Sequence, residues 1–468
     1  METEQTSSGS VLRMTAEQHE RLRKHLFPAD GCESVALALC GTRFSEHRLV
    51  YCVREILDIP DHVCALRSPT TVRWPVELGL DLFSRAAKSG MAILKIHSHP
   101  TGFEQFSEHD NESDEKLLGA LCEWAEQPIR HVSAFMLPDG AVKARVVNQI
   151  PTEWCWVERV VIVGDEIRTF HHNTMHAEFD GADLRTRQAF GDGTTRALKS
   201  MRVGVVGCSG TGSWVIEMLA RLGVGDLVLV DPDHVERKNL NRILNSTGDS
   251  AKRQEHKVEM LSRAIMAMDL GTKVSAHARD LADREVIEAL AECDVLFGCL
   301  DSADGRDLLN RIATFYTIPF IDVGVHLQAD GKGGINQICC AVHYLIPGGS
   351  SLLSRGVITP EQVTAEAMRR HDPDAYRARL KEGYIKGAQV ESPAVISING
   401  FAASHAVNEM LARIHPFRFD ENLEYRHQTF SLRDGSWIKV PDGAPCVVLG
   451  RRLGRGDSKP LLDNPAIT

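Results

Sequence analysis

The chain has 468 residues, of which 43% are hydrophobic, and its formal net charge is −10 at pH 7. This length predicts two or three domains with ample cores, and the acidic balance argues against a nucleic-acid partner. No apolar run reaches the length of a membrane span and the first nine residues are polar, so neither a membrane partner nor a signal peptide is expected. The 12 cysteines follow no regular spacing, which is typical of free thiols in a reducing cytoplasm.

The first 150 residues alternate short strand and helix patterns. Helices are predicted over residues 16–26, 74–89 and 112–126, and strands over residues 34–40, 47–56, 91–97, 131–137 and 141–147. Glu112, Asp114 and Glu115 suit a helix N-terminus, where the dipole favours acidic side chains. We therefore expect a compact α/β domain over residues 1–150, followed by a linker over residues 151–183 that contains a short strand.

Metal-ligating side chains cluster where the strand over residues 91–97 ends. One residue separates His97 from His99, so on a strand both side chains point the same way. Asp110 follows in the loop that turns into the next helix. Two histidines and one carboxylate leave the fourth position of a zinc ion open, which is the arrangement of a catalytic rather than a structural site.

Two further groups complete this chemistry. Glu33, at the start of the first strand, is expected to act as general base, with Glu55 as the alternative, and Ser107 is expected to stabilise an oxyanion. The spacing His-x-His-Pro, six residues, Ser-x-x-Asp resembles the signature of the JAB/JAMM metalloproteases, and Glu33 matches their upstream glutamate. The resemblance implies a cytidine-deaminase-like α/β domain that cleaves a peptide or isopeptide bond after the C-terminal glycine of a ubiquitin-like protein.

A glycine-rich turn organises the second half of the chain. An apolar strand over residues 202–206 leads into Gly207, Gly210 and Gly212, then a helix, then a second apolar strand that ends at Asp231. This is one βαβ unit. The glycines allow backbone N–H groups to approach a phosphate, and Asp231 can accept a hydrogen bond from a ribose hydroxyl. The turn alone fits NAD, FAD or ATP.

Polar residues downstream decide between these nucleotides. Asn239, Arg242 and Lys257 supply donors for a triphosphate, and Asp301, which follows another strand, supplies a carboxylate for Mg²⁺. A dehydrogenase needs none of these residues. The ordered set resembles the ThiF/MoeB adenylyltransferases, the family that includes the ubiquitin-activating enzymes.

That second resemblance implies a Rossmann-like adenylation domain over residues 184–415, with ATP and Mg²⁺ as cofactors. It places Asp231 on the ribose, Asn239, Arg242 and Lys257 on the phosphates, and Asp301 on the Mg²⁺ ion. It also implies a homodimer, because the family places an arginine that precedes the domain in the partner subunit's site. Arg187 is the expected counterpart, with Arg185 as the alternative. Residues 416–468 are expected to form a tail that packs on this domain.

The chain departs from the second family in two ways. Many members hold a structural zinc ion with two Cys-x-x-Cys pairs, whereas this chain has no such pair, and Ser351 and Ser354 stand where the first would be. We therefore expect that zinc site to be lost. No cysteine lies between Cys340 and Cys446, so the crossover loop lacks an acceptor thiol. Cys339 and Cys340 fall in a strand-like run and are expected to be buried and inert.

Together these features predict a bifunctional cytoplasmic enzyme, bacterial in style. A zinc protease and an ATP-dependent adenylating enzyme would act on one ubiquitin-like protein and pass it to a ubiquitin-conjugating-like protein. Two alternatives stay open: a sulfur-carrier activating enzyme whose protease trims the carrier, and a scaffold that binds a ubiquitin-like protein without turning over ATP. Resemblance to bacterial operons that pair such enzymes with ubiquitin-like proteins suggests a role in antiviral defence.

Overall fold

A computed structural model describes residues 6–46, 48–124, 129–147, 154–173, 178–381, 394–465 and 467. The chain forms two compact units. The first comprises Met1–Met175, Phe315–Thr317 and Leu453–Asp463, and the second comprises His176–Thr314, Ile318–Arg452 and Asn464–Thr468. Within the described ranges, no helix combines the length and the apolar character that a membrane crossing requires.

The first unit is built on a curved sheet. Its strands are β1 (Thr6–Thr15), β2 (Val35–Phe44), β3 (Leu49–Asp58), β4 (Leu66–Ser68), β5 (Thr71–Arg73), β6 (Ala92–Ser98), β7 (Val132–Met136), β8 (Val142–Val147), β9 (Trp154–Val163) and β10 (Ile167–His171). Its α-helices are α1 (Ala16–Leu26), α2 (Leu80–Ser89) and α3 (Glu108–Trp124). The main sheet has the order β1-β3-β2-β6-β7-β8-β9-β10, and β1 also pairs with β9, so the sheet closes on itself.

The core of the first unit lies on both faces of this sheet. Leu22 and Leu26 of α1 join one apolar cluster, and Phe83 of α2 and Leu118 of α3 join another. These layers form because a strand directs alternate side chains to opposite faces, so each face needs its own helical cover. The small hairpin of β4 and β5 stands apart from the main sheet.

Two strands of this sheet differ from the expectation. No strand was expected among the polar N-terminal residues, and residues 151–183 were expected to be a linker with one short strand. Instead, β1 and β9 pair with each other in parallel and belong to the main sheet. Polar residues in buried positions hide the strand pattern of β1. Arg13, which is 1% exposed, donates from Nη1 to the carbonyl of Tyr316 at 3.0 Å, and Ser10 is also buried.

The second unit contains the longer list of elements. Its strands are β11 (Arg202–Val206), β12 (Asp226–Val230), β13 (Lys273–His277), β14 (Val295–Gly298), β15 (Phe320–Ala329), β16 (Ile335–Leu345), β17 (His427–Ser431) and β18 (Ser436–Lys439). Its α-helices are α4 (Leu184–Ser200), α5 (Gly210–Arg221), α6 (Gly248–Lys252), α7 (Lys257–Met266), α8 (Arg284–Ala291), α9 (Ala303–Phe315), α10 (Pro360–His371), α11 (Pro373–Lys381), α12 (Ile396–Ile414) and α13 (Val447–Gly450).

The sheet of the second unit has the order β13-β12-β11-β14-β15-β16-β17-β18. The strands from β13 to β15 are parallel, and the later pairs are antiparallel. This parallel portion confirms the predicted Rossmann-like fold. The strand order reverses between β11 and β14, and ligands of such sheets bind beyond the carboxyl ends of the strands at this switch point.

The C-terminal tail is divided between the two units, so the expectation that all of residues 416–468 pack on the adenylation domain needs correction. Strands β17 and β18 extend the second sheet. Leu453–Asp463 belongs to the first unit, where Gly41 N–H donates to the carbonyl of Gly454 at 3.1 Å and Asp457 N–H donates to that of Thr42 at 2.8 Å. These bonds join backbone groups, which side-chain patterns do not reveal.

Hydrogen bonds and ion pairs stabilise the segment around Ser351 and Ser354, where the structural zinc site was expected to be lost. Ser351 N–H donates to Ser354 Oγ at 2.8 Å, and Ser354 N–H donates to Ser351 Oγ at 3.1 Å. The guanidinium groups of Arg355 and Arg426 each approach a carboxylate oxygen of Asp442 to 2.9 Å. These contacts link the chain before α10 to the chain beyond β18.

Candidate functional site

Strand β6 and helix α3 bring the three predicted metal ligands of the first unit together. His97 lies on β6, His99 lies just beyond its end, and Asp110 lies in the first turn of α3. His97 Nε2 is 2.9 Å from His99 Nε2 and 3.0 Å from Asp110 Oδ1, and His99 Nε2 is 3.7 Å from Asp110 Oδ2. All three side chains are buried. Helix α3 begins at Glu108 rather than at residue 112, so Asp110 lies on the helix and not in the preceding loop.

Ser107 fixes where α3 begins. Its Oγ accepts a hydrogen bond from Asp110 N–H at 3.2 Å, while Asp110 Oδ2 accepts from Ser107 N–H at 2.8 Å. This reciprocal pair is a capping box, so the Ser-x-x-Asp spacing has a structural role in addition to any chemical one. Ser107 Oγ also donates to Asp110 Oδ2 at 2.7 Å, which orients the carboxylate towards the histidines.

The hydrogen bonds and charges of His97, His99 and Asp110 are compatible with a cation bound between the three side chains. His99 Nδ1 lies 2.7 Å from the carbonyl of Phe103, and because a carbonyl only accepts, Nδ1 donates to it and Nε2 faces His97 and Asp110. Burial opposes ionisation of Asp110, but its bonds to His97 and His99 hold its pKa far below the ordinary value. Two imidazoles and one carboxylate, with a carbonyl orienting one ring, are a donor set suited to zinc.

Glu33 reaches the same face of the sheet. Glu33 lies two residues before Val35, and Val35 pairs with His97 across β2 and β6. Its side chain therefore points to the side that carries the histidines. Its backbone is held by the small hairpin, since Glu33 N–H donates to the carbonyl of Ser68 at 2.8 Å and Arg67 Nε donates to the carbonyl of Glu33 at 3.0 Å. The sequence pattern gave no sign of this support.

The two candidate bases have different surroundings. Burial raises the pKa of Glu33 to about 7, while the charges of His99 and Lys95 lower it and that of Asp110 raises it. Glu55 on β3 is half exposed and pairs with Arg85, both carboxylate oxygens lying 2.8 Å from the guanidinium. Glu33 is therefore the carboxylate that the fold places beside the histidines.

The raised pKa of Glu33 predicts a pH-dependent stability of the metal-free protein. Because the folded state binds this proton more tightly than the unfolded state does, the stabilisation is complete below pH 4.5 and is lost as the pH rises through about 7. We expect the free energy of unfolding, relative to a Glu33→Gln variant, to fall by about 3 kcal/mol across this window. Chemical denaturation at several pH values measures it. Parallel pH profiles for the two proteins would contradict the burial argument.

The glycine turn of the second unit lies at the switch point. Gly207 has a φ of 89°, which favours glycine, and a Cβ at that position would lie 2.5 Å from the carbonyl oxygen of Cys299. A Cβ on Gly212 would lie 1.8 Å from the carbonyl oxygen of Gly207. The turn therefore packs tightly against the first residues of α5, whose free N–H groups can bind a phosphate.

Asp231 and Lys257 form a buried pair beside this turn. Asp231 follows β12 and accepts hydrogen bonds from Cys208 N–H at 2.8 Å and Asp233 N–H at 2.9 Å. Lys257, the first residue of α7, places Nζ 3.3 Å from Asp231 Oδ1 and 2.7 Å from Asp233 Oδ2. Burial alone would lower the pKa of Lys257, but the two carboxylates raise it, so the ammonium form is retained.

The other predicted nucleotide residues lie around the same edge. Arg242 Cδ would lie 3.4 Å from a Cβ on Gly210, so the arginine borders the turn, and Asp301 follows β14, the strand next to β11. Asn239 is buried and its Oδ1 accepts from Glu236 N–H at 2.9 Å, which holds it in its loop. Among the described residues, no hydrogen bond or ion pair joins Asn239 or Asp301 to the glycine turn.

Asn399 of α12 is a residue of this site that the sequence reading missed. Its Nδ2 would lie 2.2 Å from a Cβ on Gly210, so the amide rests on the glycine turn. The residue is buried. It lies far along the chain in a helix with an apolar pattern, and no local spacing signals its position.

Arg187 and the cysteines complete the predicted residues. Arg187 Nε donates to Asp192 at 2.7 Å and its guanidinium lies 4.1 Å from the centre of the Phe179 ring, so within this chain the side chain contacts these two residues. Burial raises the pKa of Cys340 to about 12. Cys339 is half-buried rather than buried as expected, since neighbouring residues of a strand face opposite sides.

Comparison with known proteins places the second unit in context. The ThiF family model matches residues 183–436. The Bacillus subtilis protein named sulfur carrier protein ThiS adenylyltransferase is 26% identical over 171 residues, covering 35% of this chain and 51% of that protein. The Haloferax volcanii protein named SAMP-activating enzyme E1 is 33% identical over 129 residues, covering 28% of this chain and 47% of that protein. The chain thus spans about half the length of these curated relatives.

Among solved structures, a crystal structure of Escherichia coli MccB is similar over 60% of this chain and 75% of that chain, at 16% identity and a TM-score of 0.44.

Proposed function

The chain belongs to the ThiF family, and from that premise we propose that its second unit adenylates the C-terminal carboxylate of a carrier protein with ATP. The observation that carries the proposal is the arrangement at the switch point: a tight glycine turn over the start of α5, with Asp231 and Lys257 buried beside it. The N–H groups at the start of α5 can bind phosphate, Asp231 can accept from a ribose hydroxyl and Lys257 supplies a positive charge. Together these groups suit a nucleoside triphosphate.

In the proposed reaction a carboxylate oxygen of the carrier bonds to the α-phosphorus of ATP, and the bond to the β-phosphate breaks to release pyrophosphate. Lys257, Arg242 and Asn239 donate to the phosphate oxygens as negative charge moves to the leaving group, and Asp231 orients the ribose. Asp301 would hold Mg²⁺, which supplies positive charge to the phosphates. The carrier needs a free terminal carboxylate.

The carrier that we propose is a ubiquitin-like protein or sulfur carrier that ends in glycine, as the names of the two curated relatives suggest. We further propose that the enzyme is a homodimer in which Arg187 acts on the partner subunit's site, and that the product passes to a conjugating protein. The dimer rests on the resemblance to the family, and within one chain Arg187 pairs with Asp192 and contacts the Phe179 ring.

Carrier-dependent exchange of pyrophosphate into ATP tests this function. The probe is a ubiquitin-like protein that ends in glycine, and the control is the same protein with an amidated C-terminus. We expect exchange with the free carboxylate only. Binding of the carrier without exchange would favour a non-catalytic scaffold and overturn the proposal.

For the first unit we propose a zinc-dependent peptidase that acts after the C-terminal glycine of the same carrier. The convergence of His97, His99 and Asp110 supports this second activity, together with the resemblance to the JAB/JAMM signature. A bound zinc ion would supply Lewis-acid polarisation of the scissile carbonyl. Glu33 would accept the proton of the attacking water and return it to the leaving amine, and the Ser107 hydroxyl would donate to the oxyanion in place of Asp110 Oδ2.

Metal analysis of the purified protein tests the zinc assignment. We expect about one zinc ion per chain, because the His97, His99 and Asp110 group supplies one site and the sequence contains no Cys-x-x-Cys pair. A His97→Ala, His99→Ala double variant should contain almost none. Two tightly held zinc ions per chain would show that the expected loss of the structural site at Ser351 and Ser354 is wrong.

A further inference from the structure

A second group of polar side chains lies beside the candidate metal ligands, on the same face of the sheet of the first unit. Lys95 precedes His97 by two residues on β6, so both side chains point to the same face. Lys95 pairs with Ser133 on β7, and Ser133 pairs with Arg145 on β8, so the three side chains form one row across the sheet. Ser133 is the small member of the row and leaves space between the two cations.

Asp114 of α3 bridges the two cations. Its Oδ1 lies 2.6 Å from Lys95 Nζ, and its Oδ2 accepts from Arg145 Nη2 at 2.7 Å. Asp114 is fully buried, Lys95 is 3% exposed and Arg145 is 4% exposed. Asp114 was expected to be one of several acidic residues favoured by the helix dipole, but its charge is matched by two cations away from water.

This bridge is connected to the metal ligands through the helix and through a loop. Asp114 lies four residues after Asp110, so both carboxylates project from the same side of α3 towards β6. Arg145 Nη1 also donates to Oδ1 of Asn111, the neighbour of Asp110, at 2.6 Å. The Arg145 guanidinium lies 3.7 Å from the centre of the Phe106 ring, and Phe106 directly precedes Ser107.

We propose that Asp114 is a positioning residue for the metal site, acting with Lys95 and Arg145. The bridge fixes the rotation of α3 about its axis and its distance from β6, and these two quantities set where the Asp110 carboxylate meets the histidines. Through Phe106 the same bridge holds Ser107 at the helix cap. The inference rests on the proposed zinc site. In metalloproteins, groups that hydrogen-bond to the metal ligands hold those ligands in position, and the inference gives this role to the buried ion-pair network.

The test uses an Asp114→Asn variant of the full-length protein, in which one bridging charge is removed with little change of shape. We expect its affinity for Zn²⁺, measured by competition with a chromophoric chelator, to fall about 10- to 100-fold. The visible absorption bands of the Co²⁺-substituted variant should shift, because the ligand geometry around the ion changes. Glu112→Gln is the matched control, since Glu112 lies on the same helix but is exposed, and it should bind both metals as wild type does.

A triple variant, Lys95→Met, Asp114→Leu and Arg145→Met, keeps the volume of the bridge without its charges. Replacing a whole buried ion-pair network by apolar residues often preserves a fold that removal of one partner disrupts. If Asp114→Asn does not fold, the triple variant decides, and weakened metal binding by a folded triple variant supports the proposal. Wild-type Zn²⁺ affinity and Co²⁺ bands in either folded variant would overturn it. If the wild-type protein itself binds no Zn²⁺ or Co²⁺, the proposed zinc site fails instead, so the two failures are distinguishable.

Discussion

Replacement of Lys257 by alanine is expected to lower the rate of carrier-dependent pyrophosphate exchange by about 10²-fold or more, because a buried ammonium group no longer stabilises the phosphates. The fold should survive the change. Asp231, the buried partner, keeps its hydrogen bonds from the N–H groups of Cys208 and Asp233 when the lysine is removed. Asp301→Ala should cause a loss of similar size through weaker Mg²⁺ binding.

The matched control for this prediction is Lys252→Ala on α6. Lys252 is exposed and pairs with exposed Asp249, so its removal should leave exchange unchanged. Wild-type exchange rates in both the Lys257 and the Asp301 variants would mean that the nucleotide site has been assigned to the wrong residues. A loss in the Lys252 variant as well would point to general surface charge instead of a specific contact.

The clustering of the candidate nucleotide residues was largely predictable, because these residues follow strands whose order is simple. Gly207 follows β11, Asp231 follows β12 and Asp301 follows β14, so a parallel sheet brings all three to the same edge. Lys257 begins α7, and its ammonium group contacts Asp231. Asn399 was not predictable, since its position depends on how α12 packs against α5 and not on any local spacing.

In the first unit the grouping of the candidate metal ligands was predictable, whereas the residues that support them were not. His97, His99 and Asp110 occur within a short stretch whose spacing reflects a strand end and a helix start. The pairing of Asp114 with Lys95 and Arg145 depends on the register of three strands, which brings a serine between two cations. Likewise, the hairpin that holds Glu33 through Ser68 shows no extended apolar pattern.

Strand β1 and the full extent of β9 were not predicted, and the two share a physical cause. Strand β1 buries Ser10 and Arg13, and β9 alternates buried and half-buried residues before it becomes continuously buried. A period-two pattern requires one solvated face, and a strand in a closed sheet lacks it along part of its length. The prediction of a separate linker failed where both faces of the chain are covered.

Both proposed activities occur on one chain, and this predicts an order of action on the carrier. Adenylation requires a free terminal carboxylate, so a precursor with residues after its glycine cannot react until those residues are removed. A peptidase that cuts after the glycine would create the substrate of the adenylating unit. Their covalent connection raises the effective concentration of the second site for the trimmed product.

Glu33→Ala, tested with two forms of the carrier, measures this order. We expect cleavage of an extended carrier to fall about 10²- to 10⁴-fold, because the group that accepts the proton of water is lost. Activation of the extended form, followed by pyrophosphate exchange, should fall with it, while a pre-trimmed carrier should be activated as fast as by wild type. Glu55→Ala is the control, since Glu55 is a half-exposed carboxylate paired with Arg85. If Glu33→Ala activates the extended carrier as well as wild type does, processing does not precede adenylation, and the peptidase would instead reverse conjugates made elsewhere.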